Sequence, residues 1–441
     1  YNADDFLLRM KDKKLGDELH LKNDAFSKSI YTGDPKEESE EKVELLNQGG
    51  YGCVYYPAIK CRKNSKVGGK TNVSYVSKIQ FHDKSSKNEI EIGQIVKTIG
   101  NYNNFFAPVA GSCGVNINRI DKDLKDVYGD KCGIYEKKRD LPFIMVSVPY
   151  IKDGNFNKNV ISSKKSFTFV NIVDSYKHLL NALLLMNHAG IVHYDLKSDN
   201  VLYDTVKKQP IVIDFGLSID MNKVKKMIGA KKKLSTGILK MLSDKFYVFA
   251  PDYYLWCIEI HIISYLMENS TLDQTAIQNI CYEYVENNRG FILFDDDFKN
   301  EYMKSSVKFF SQYINKPKDE IILSLLKHYE TWDNFSLSLM FLKLAFTIFK
   351  YQTNNVLMFF YQILIENINP DPTKRNSVSA TQEKMFSIYN QGRDGIDEIL
   401  KLFVGNTEDI FDVQALLLKD DELINSVIDN ALKKKITVRS K

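Results

Sequence analysis

One change of texture limits what this chain can fold into. From Val43 to Ile151 it carries short β-type runs punctuated by glycine and polar loops, and from about Tyr253 to Leu432 it reads as helices with loops. The pattern predicts an α+β molecule of two lobes, a small β-rich one with one main helix and a larger helical one. The 441 residues suffice for two or three packing units, and a hydrophobic content of 44% excludes disorder as the general description. The apolar runs Leu255–Met267 and Ser336–Phe349 are interrupted by Glu259 and His261 or by Lys343, so neither reaches the length of a membrane span. Sixty Lys and Arg against 56 Asp and Glu leave +4, too near neutral for a dedicated nucleic-acid or membrane-surface protein. The six cysteines, Cys53, Cys61, Cys113, Cys132, Cys257 and Cys281, include no C-x-x-C pair, and no signal-peptide pattern opens the chain. Reduced thiols and a soluble, cytoplasmic protein are the expectation.

Residues 1–41 form a polar N-terminal extension ending in the acidic stretch Glu37–Glu41. The smaller lobe is expected over 42–148 and the larger over 149–390, with a helical insert at about 270–367 and a C-terminal helical extension over 391–441. Val43–Leu46 and Cys53–Ile59 flank Gly49, Gly50 and Gly52 as in a hairpin, a polar loop fills 60–72, and Ser74–Phe81 reads as a strand. Glu89–Ile99 sets Ile92, Ile95, Val96 and Ile99 at helical spacing, and 111–141 is an irregular insert. Phe143–Ile151 reads as a strand that runs out at Lys152-Asp153-Gly154. Phe167–His188 is a periodic helix stopped by Ala189-Gly190, and Ile191–His193, Val201–Tyr203 and Ile211–Ile213 are short β-type runs.

Three clusters carry chemistry. In Asn47-Gln48-Gly49-Gly50-Tyr51-Gly52-Cys53-Val54, glycines would let backbone N–H groups approach phosphate oxygens, although an ordinary glycine hairpin has the same composition. His193-Tyr194-Asp195-Leu196-Lys197-Ser198-Asp199-Asn200 places a carboxylate, a cation and an amide in one loop. There Asp195 can accept a hydroxyl proton, Lys197 can neutralise phosphate charge and Asn200 can hold a metal. Asp214-Phe215-Gly216 follows the apolar run Ile211–Ile213 and offers a carboxylate to Mg²⁺.

In this order and spacing the clusters resemble those of eukaryotic-type Ser/Thr protein kinases over roughly residues 42–390. The resemblance implies a bilobal kinase fold, ATP and Mg²⁺ as cofactors, and protein serine and threonine hydroxyls as acceptors. It makes Asp195 the catalytic base, Lys197 a contact to the transferred phosphate, and Asn200 and Asp214 the metal ligands. Val76-Ser77-Lys78 stands where the ATP-orienting lysine is expected, so Lys78 would meet the α- and β-phosphates. Its helix partner is Glu89, favoured over Glu91 because it lies nearer the apolar stripe. Asn47, Gly49, Gly50, Gly52 and Val54 would cover the nucleotide, Val76 and Leu202 would sandwich the adenine, and Ile151 or Tyr150 would donate the hinge hydrogen bond, since Pro149 has no N–H. Ala250-Pro251-Asp252 resembles the family's A-P-E, and Asp371-Pro372-Thr373-Lys374-Arg375 its late D-P-x-x-R, which implies a buried Arg375–Asp252 pair. The aspartate that family members carry two residues before a helix tryptophan is Tyr254 if Trp256 is that tryptophan, with Glu259 as a substitute.

Tyr194 replaces the arginine that receives an activation-loop phosphate, which argues against phosphorylation-dependent switching at Ser235 or Thr236. Lys223, Lys225, Lys226 and Lys231–Lys233 are either a solvated mobile loop or an attraction for acidic substrates. The helical insert, unusual hinge and Lys/Asn/Ile/Tyr-rich composition also resemble kinases of large cytoplasmic DNA viruses, which would make virion or host proteins the partners and the host cytoplasm or virion the location. The competing functional class is a pseudokinase or scaffold that binds nucleotide without turnover.

Overall fold

Strand β1 (Glu44–Gln48), β2 (Gly52–Tyr56), β3 (Tyr75–Phe81), β4 (Gly111–Val115) and β5 (Phe143–Pro149) form one antiparallel sheet in the order β1-β2-β3-β5-β4. The computed structural model describes residues 43–48, 52–59, 74–115, 142–230, 233–349, 352, 354–390, 401, 403 and 410–439. The N-terminal extension, Gly49, Gly50, Lys231, Lys232, all of the 60–72 segment and most of the 111–141 segment lie outside them. Alternation along β3 sends Val76, Lys78 and Gln80 to one face and Ser77, Ile79 and Phe81 to the other. The second face closes a small core of Cys53, Tyr55, Ile79, Phe143 and Met145. The first face meets helix α1 (Lys84–Val96), which starts five residues before the apolar periodicity does. Asp83 caps it, accepting from the backbone of Ser86, whose hydroxyl accepts from Asp83 in return. The buried side of α1 is Ser86, Glu89, Ile92, Gly93 and Val96, so the carboxylate of Glu89 is carried inward by the same stripe as the isoleucine and valine.

The larger lobe opens with α2 (Phe156–Val160) and α3 (Lys165–His188). Between α3 and the helices beyond lie β6 (Ile191–Val192), β7 (Val201–Asp204), β8 (Gln209–Val212) and β9 (Ile219–Asp220), paired β6 with β9 and β7 with β8. The lysine-rich stretch, open in sequence to a mobile-loop reading, contains α4 (Met221–Ile228), followed by α5 (Thr236–Lys245). Then come α6 (Ile258–Glu268), α7 (Gln274–Glu286), α8 (Asp296–Phe310) and α9 (Lys318–Leu325). Helix α10 (Trp332–Phe349) runs through the lobe with 16 of its 18 residues buried. It is apolar on every side because it is surrounded by protein, and no described helix is long and apolar enough to cross a membrane. Helices α11 (Asn355–Asn367), α12 (Val378–Asn390) and α13 (Ile410–Arg439) complete the described chain.

Cys53 and Cys113 each form a disulfide, though not with one another, since they stand on strands three places apart in the sheet; this corrects the expectation of reduced thiols throughout, whereas Cys257 and Cys281 are free and buried.

Candidate active site

Lys78 sits between two carboxylates. Its Nζ lies 3.2 Å from Glu89 and 3.0 Å from Asp214. Gln80, two residues along the same face of β3, donates to Glu89 at 2.7 Å and fixes that carboxylate. Glu91 points instead to exposed Lys223 at 3.8 Å. Burial alone would lower the ammonium's pKa, but Asp214 and Glu89 hold it above the usual lysine value. Asp214 is held below the carboxylate range by Lys78 against the cost of burial, while Glu89, deeper in the lobe, is raised by burial despite the same cation. Asp214 has φ 60°, a left-handed conformation maintained by the Lys78 contact and by the Gly216 N–H donating back to its carboxylate at 3.2 Å. Gly216 lies so close to α1 that a Cβ there would be 2.7 Å from Ser85 Oγ.

The loop after β6 presents Asp195. Asn200 donates to its carboxylate at 2.8 Å and to its carbonyl at 2.7 Å, and Lys197 lies 3.2 Å from the same oxygen, Oδ2. The other oxygen, Oδ1, accepts from the Tyr253 hydroxyl at 3.0 Å. Two backbone N–H groups, of His193 and Tyr194, donate to buried Asp333 on α10 at 2.6 and 2.9 Å. That anchor supports the left-handed backbone of Tyr194, φ 71°. The Tyr194 ring packs on Trp256 and edge-on to Phe246, and the Trp256 indole donates to the Tyr194 carbonyl at 2.6 Å. An aromatic ring therefore stands where the resemblance puts a phosphate-receiving arginine. His193 faces Phe215 and hydrogen-bonds the Ile213 carbonyl at 3.0 Å, which joins this loop to the strand leading into Asp214.

A family model, the protein kinase domain, matches residues 130–386, more than half of the chain. The chain belongs to the protein kinase family. Calcium-dependent protein kinase 4 of Plasmodium falciparum is 32% identical over 113 residues, 25% of this chain and 19% of that protein. Its counterpart in Plasmodium berghei is 35% identical over 95 residues, 21% of this chain and 16% of that one. A probable serine/threonine-protein kinase of Dictyostelium discoideum is 30% identical over 134 residues, 28% and 19% of the two chains. This kinase thus spans under a fifth of the length of the curated relatives it matches.

Two expectations about the kinase's larger lobe are corrected. Arg375 does not pair with Asp252, which is exposed, but with buried Glu259 at the start of α6, through Nη1–Oε1 at 2.5 Å and Nη2–Oε2 at 3.0 Å. The fork-to-fork pair holds Glu259 ionised against full burial, which on its own would raise its pKa. Nor does Tyr254 or Glu259 take the part of the aspartate on the following helix. Asp333 does, two residues before Phe335, and helices α7–α9 lie between it and the helix that carries Glu259. The Ala-Pro-Asp tripeptide, with an acid seven residues before Glu259, resembles the family motif more closely than the sequence around Glu259, and the long separation hid Asp333. An acid opening an otherwise apolar helix was the available signal.

On the nucleotide side, Val76 is buried and Val54 and Leu202 are half-buried. Gly52 is required by the sheet itself, since a Cβ there would stand 2.5 Å from the Ile79 carbonyl. Asn47 is exposed on β1, while Gly49 and Gly50 lie outside the described residues. The Tyr150 N–H donates to the Ser74 carbonyl at 2.9 Å, and its ring stacks on Tyr56 with centroids 4.1 Å apart. Tyr150 is thereby withdrawn as the hinge donor, and Ile151 is the remaining candidate. Asn200 and Asp214 suit a hard cation: the Asn200 amide nitrogen is committed to Asp195, which leaves its oxygen as the ligand atom, and Asp214 is ionised. A two-ligand protein site completed by phosphate oxygens is the usual way Mg²⁺ is held.

Proposed function

We propose that this kinase transfers the γ-phosphate of ATP to serine or threonine hydroxyls of proteins. The observation that carries the reading is the pairing of two complete charge clusters, Glu89–Lys78–Asp214 and Lys197–Asp195–Asn200, on facing elements. Lys78, steadied by Glu89, would hold the α- and β-phosphates. Asp195 would take the proton of the acceptor hydroxyl as its oxygen attacks the γ-phosphorus and the bond to ADP breaks. Lys197 would meet the charge gathered on the transferred group. Bound Mg²⁺, held by Asn200 and Asp214, would neutralise phosphate charge. Lys197, two residues after the base, favours serine and threonine as acceptors, and the name of the Dictyostelium relative points the same way.

The test is phosphate transfer from ATP and Mg²⁺ to a protein mixture, comparing wild type with Asp195→Asn. Transfer to serine and threonine should fall by about 10²–10⁴ in the variant, the share of a positioned base, with ATP binding retained. Stabilisation by ATP without any transfer in the wild type would replace this reading with the nucleotide-binding scaffold.

A further inference from the structure

Helix α13 lies against the loop that carries the base. Asp421 accepts from the Ser198 hydroxyl and, at 3.2 Å, from Asn157 on the N-terminal turn of α2. One turn later, Asn425 donates to Asp199 at 2.6 Å. Leu417 and Ile424, 5% and 6% exposed, seat the apolar edge of the helix. Ser198 and Asp199 adjoin Lys197, so a polypeptide bringing a hydroxyl to Asp195 would pass over the surface that α13 covers.

Asp420 meets two cations there. It lies 2.7 Å from Lys343 Nζ and 3.4 Å from Arg289. Lys343 stands in the middle of α10 with its side chain 10% exposed, touching the Tyr254 hydroxyl at 3.2 Å. A cation at that depth requires an acid, because a buried charge without its partner is strongly destabilising. The cavity beside it is lined by Lys197 and Ser198 as well as by Lys343, Tyr254, Asp420 and Asp421, which makes this anion site continuous with the catalytic loop.

From this we infer that the protein-substrate surface takes an acidic side chain at Lys343 and Arg289, and that α13 occupies it through Asp420 and Asp421 as an exchangeable internal competitor. The inference names the substrate class for the activity proposed above and rests on that reading. A substrate acid would replace Asp420 on the two cations, so the lysine keeps a partner in both states. Asn157, Ser198 and Asp199 are released when the helix leaves, and all three are then available to the incoming chain.

The experiment uses the full chain and two labelled serine peptides, one flanked by Asp and Glu and one by Ala, with binding followed by anisotropy and transfer by steady-state kinetics. Asn425→Asp sets a like charge against Asp199 and should loosen α13. It should lower the KM of both peptides, that of the acidic one by about fivefold, with the KM for ATP unchanged. Asp420→Asn removes the acid that competes for the two cations without adding charge and should act in the same direction, which covers the case of a misfolded first variant. Lys343→Met should bind the two peptides equally. Equal binding of both peptides by wild type and both variants would overturn the inference, as would weaker acidic-peptide binding in the loosened proteins, which would make α13 a structural strut. Preferential acidic-peptide binding that responds to these variants without phosphate transfer would uphold the site and overturn the kinase reading instead.

Discussion

Asp195 receives four hydrogen-bond or ionic contacts from its own chain, yet only three of them were expressed in the loop's sequence. Asn200 and Lys197 are five and two residues away, whereas Tyr253 reaches back across 58 residues. Nothing in the sequence around Tyr253 marks it, because its importance arises from where the activation segment turns. Its phenol is fully buried and kept protonated by burial and by the Asp195 charge, so it is a committed donor. Tyr253→Phe should keep the fold and the KM for ATP and reduce kcat by about tenfold, since one hydrogen bond to a charged group is worth about that much. Steady-state kinetics with both substrates varied would show this, and an unchanged kcat would limit Tyr253 to packing. The Arg375–Glu259 pair is a second residue-scale case. Arg375→Ala should lower stability by about 3–5 kcal/mol because Glu259 stays buried and charged. Replacing both, Glu259→Leu with Arg375→Met, should recover most of the loss in denaturant unfolding.

Among the elements, α1 shows how much was legible and what was not. Its apolar stripe and the Lys78 strand could be read, because periods of 3.6 and 2 appear directly in residue order. Its first turn could not, since Lys84, Ser85 and Ser86 carry no hydrophobic signal and the start depends on the Asp83 cap. Likewise the catalytic loop was legible as a cluster, but its support on Asp333 depended on two elements 139 or more residues apart. What secures α1 over the Asp214 segment was equally hidden. The Asn88 amide donates to the carbonyls of Gly216 and Ser218 at 3.0 and 2.8 Å and accepts from Lys245 on α5 at 2.6 Å. This clasp joins three elements through one side-chain amide. Asn88→Ala should raise the KM for ATP severalfold and increase amide exchange along α1 by leaving Lys245 and three carbonyls without that partner. Unaltered exchange in α1 would mean that the Lys78–Glu89 pair alone holds the helix.

At the scale of the molecule, the C-terminal extension was legible as helical, but not its seat on the catalytic loop, because Asp420, Asp421 and Asn425 read as ordinary surface residues of a solvated helix. The partial burial of Asp421 gives that contact a pH dependence whose sign can be worked out. Burial raises the Asp421 carboxyl to about 7, with Asp199 and Asp420 adding to the rise and Ser198 and Lys343 opposing it. Freed from the lobe, the same carboxyl would titrate near 4. Between those values the docked helix holds the extra proton, so docking is strongest at the acid end and weakens as pH rises through about 4 to 7. Above that window the contribution is constant. If α13 competes with acidic substrates, their KM should fall between pH 5.5 and 7.5, a range in which substrate carboxylates are already ionised. Asp421→Asn cannot take part in the titration and should show a nearly flat KM over the same range. An equal slope in both proteins would assign the pH dependence to a group other than Asp421, and a rising KM in the wild type would reverse the direction that its burial requires.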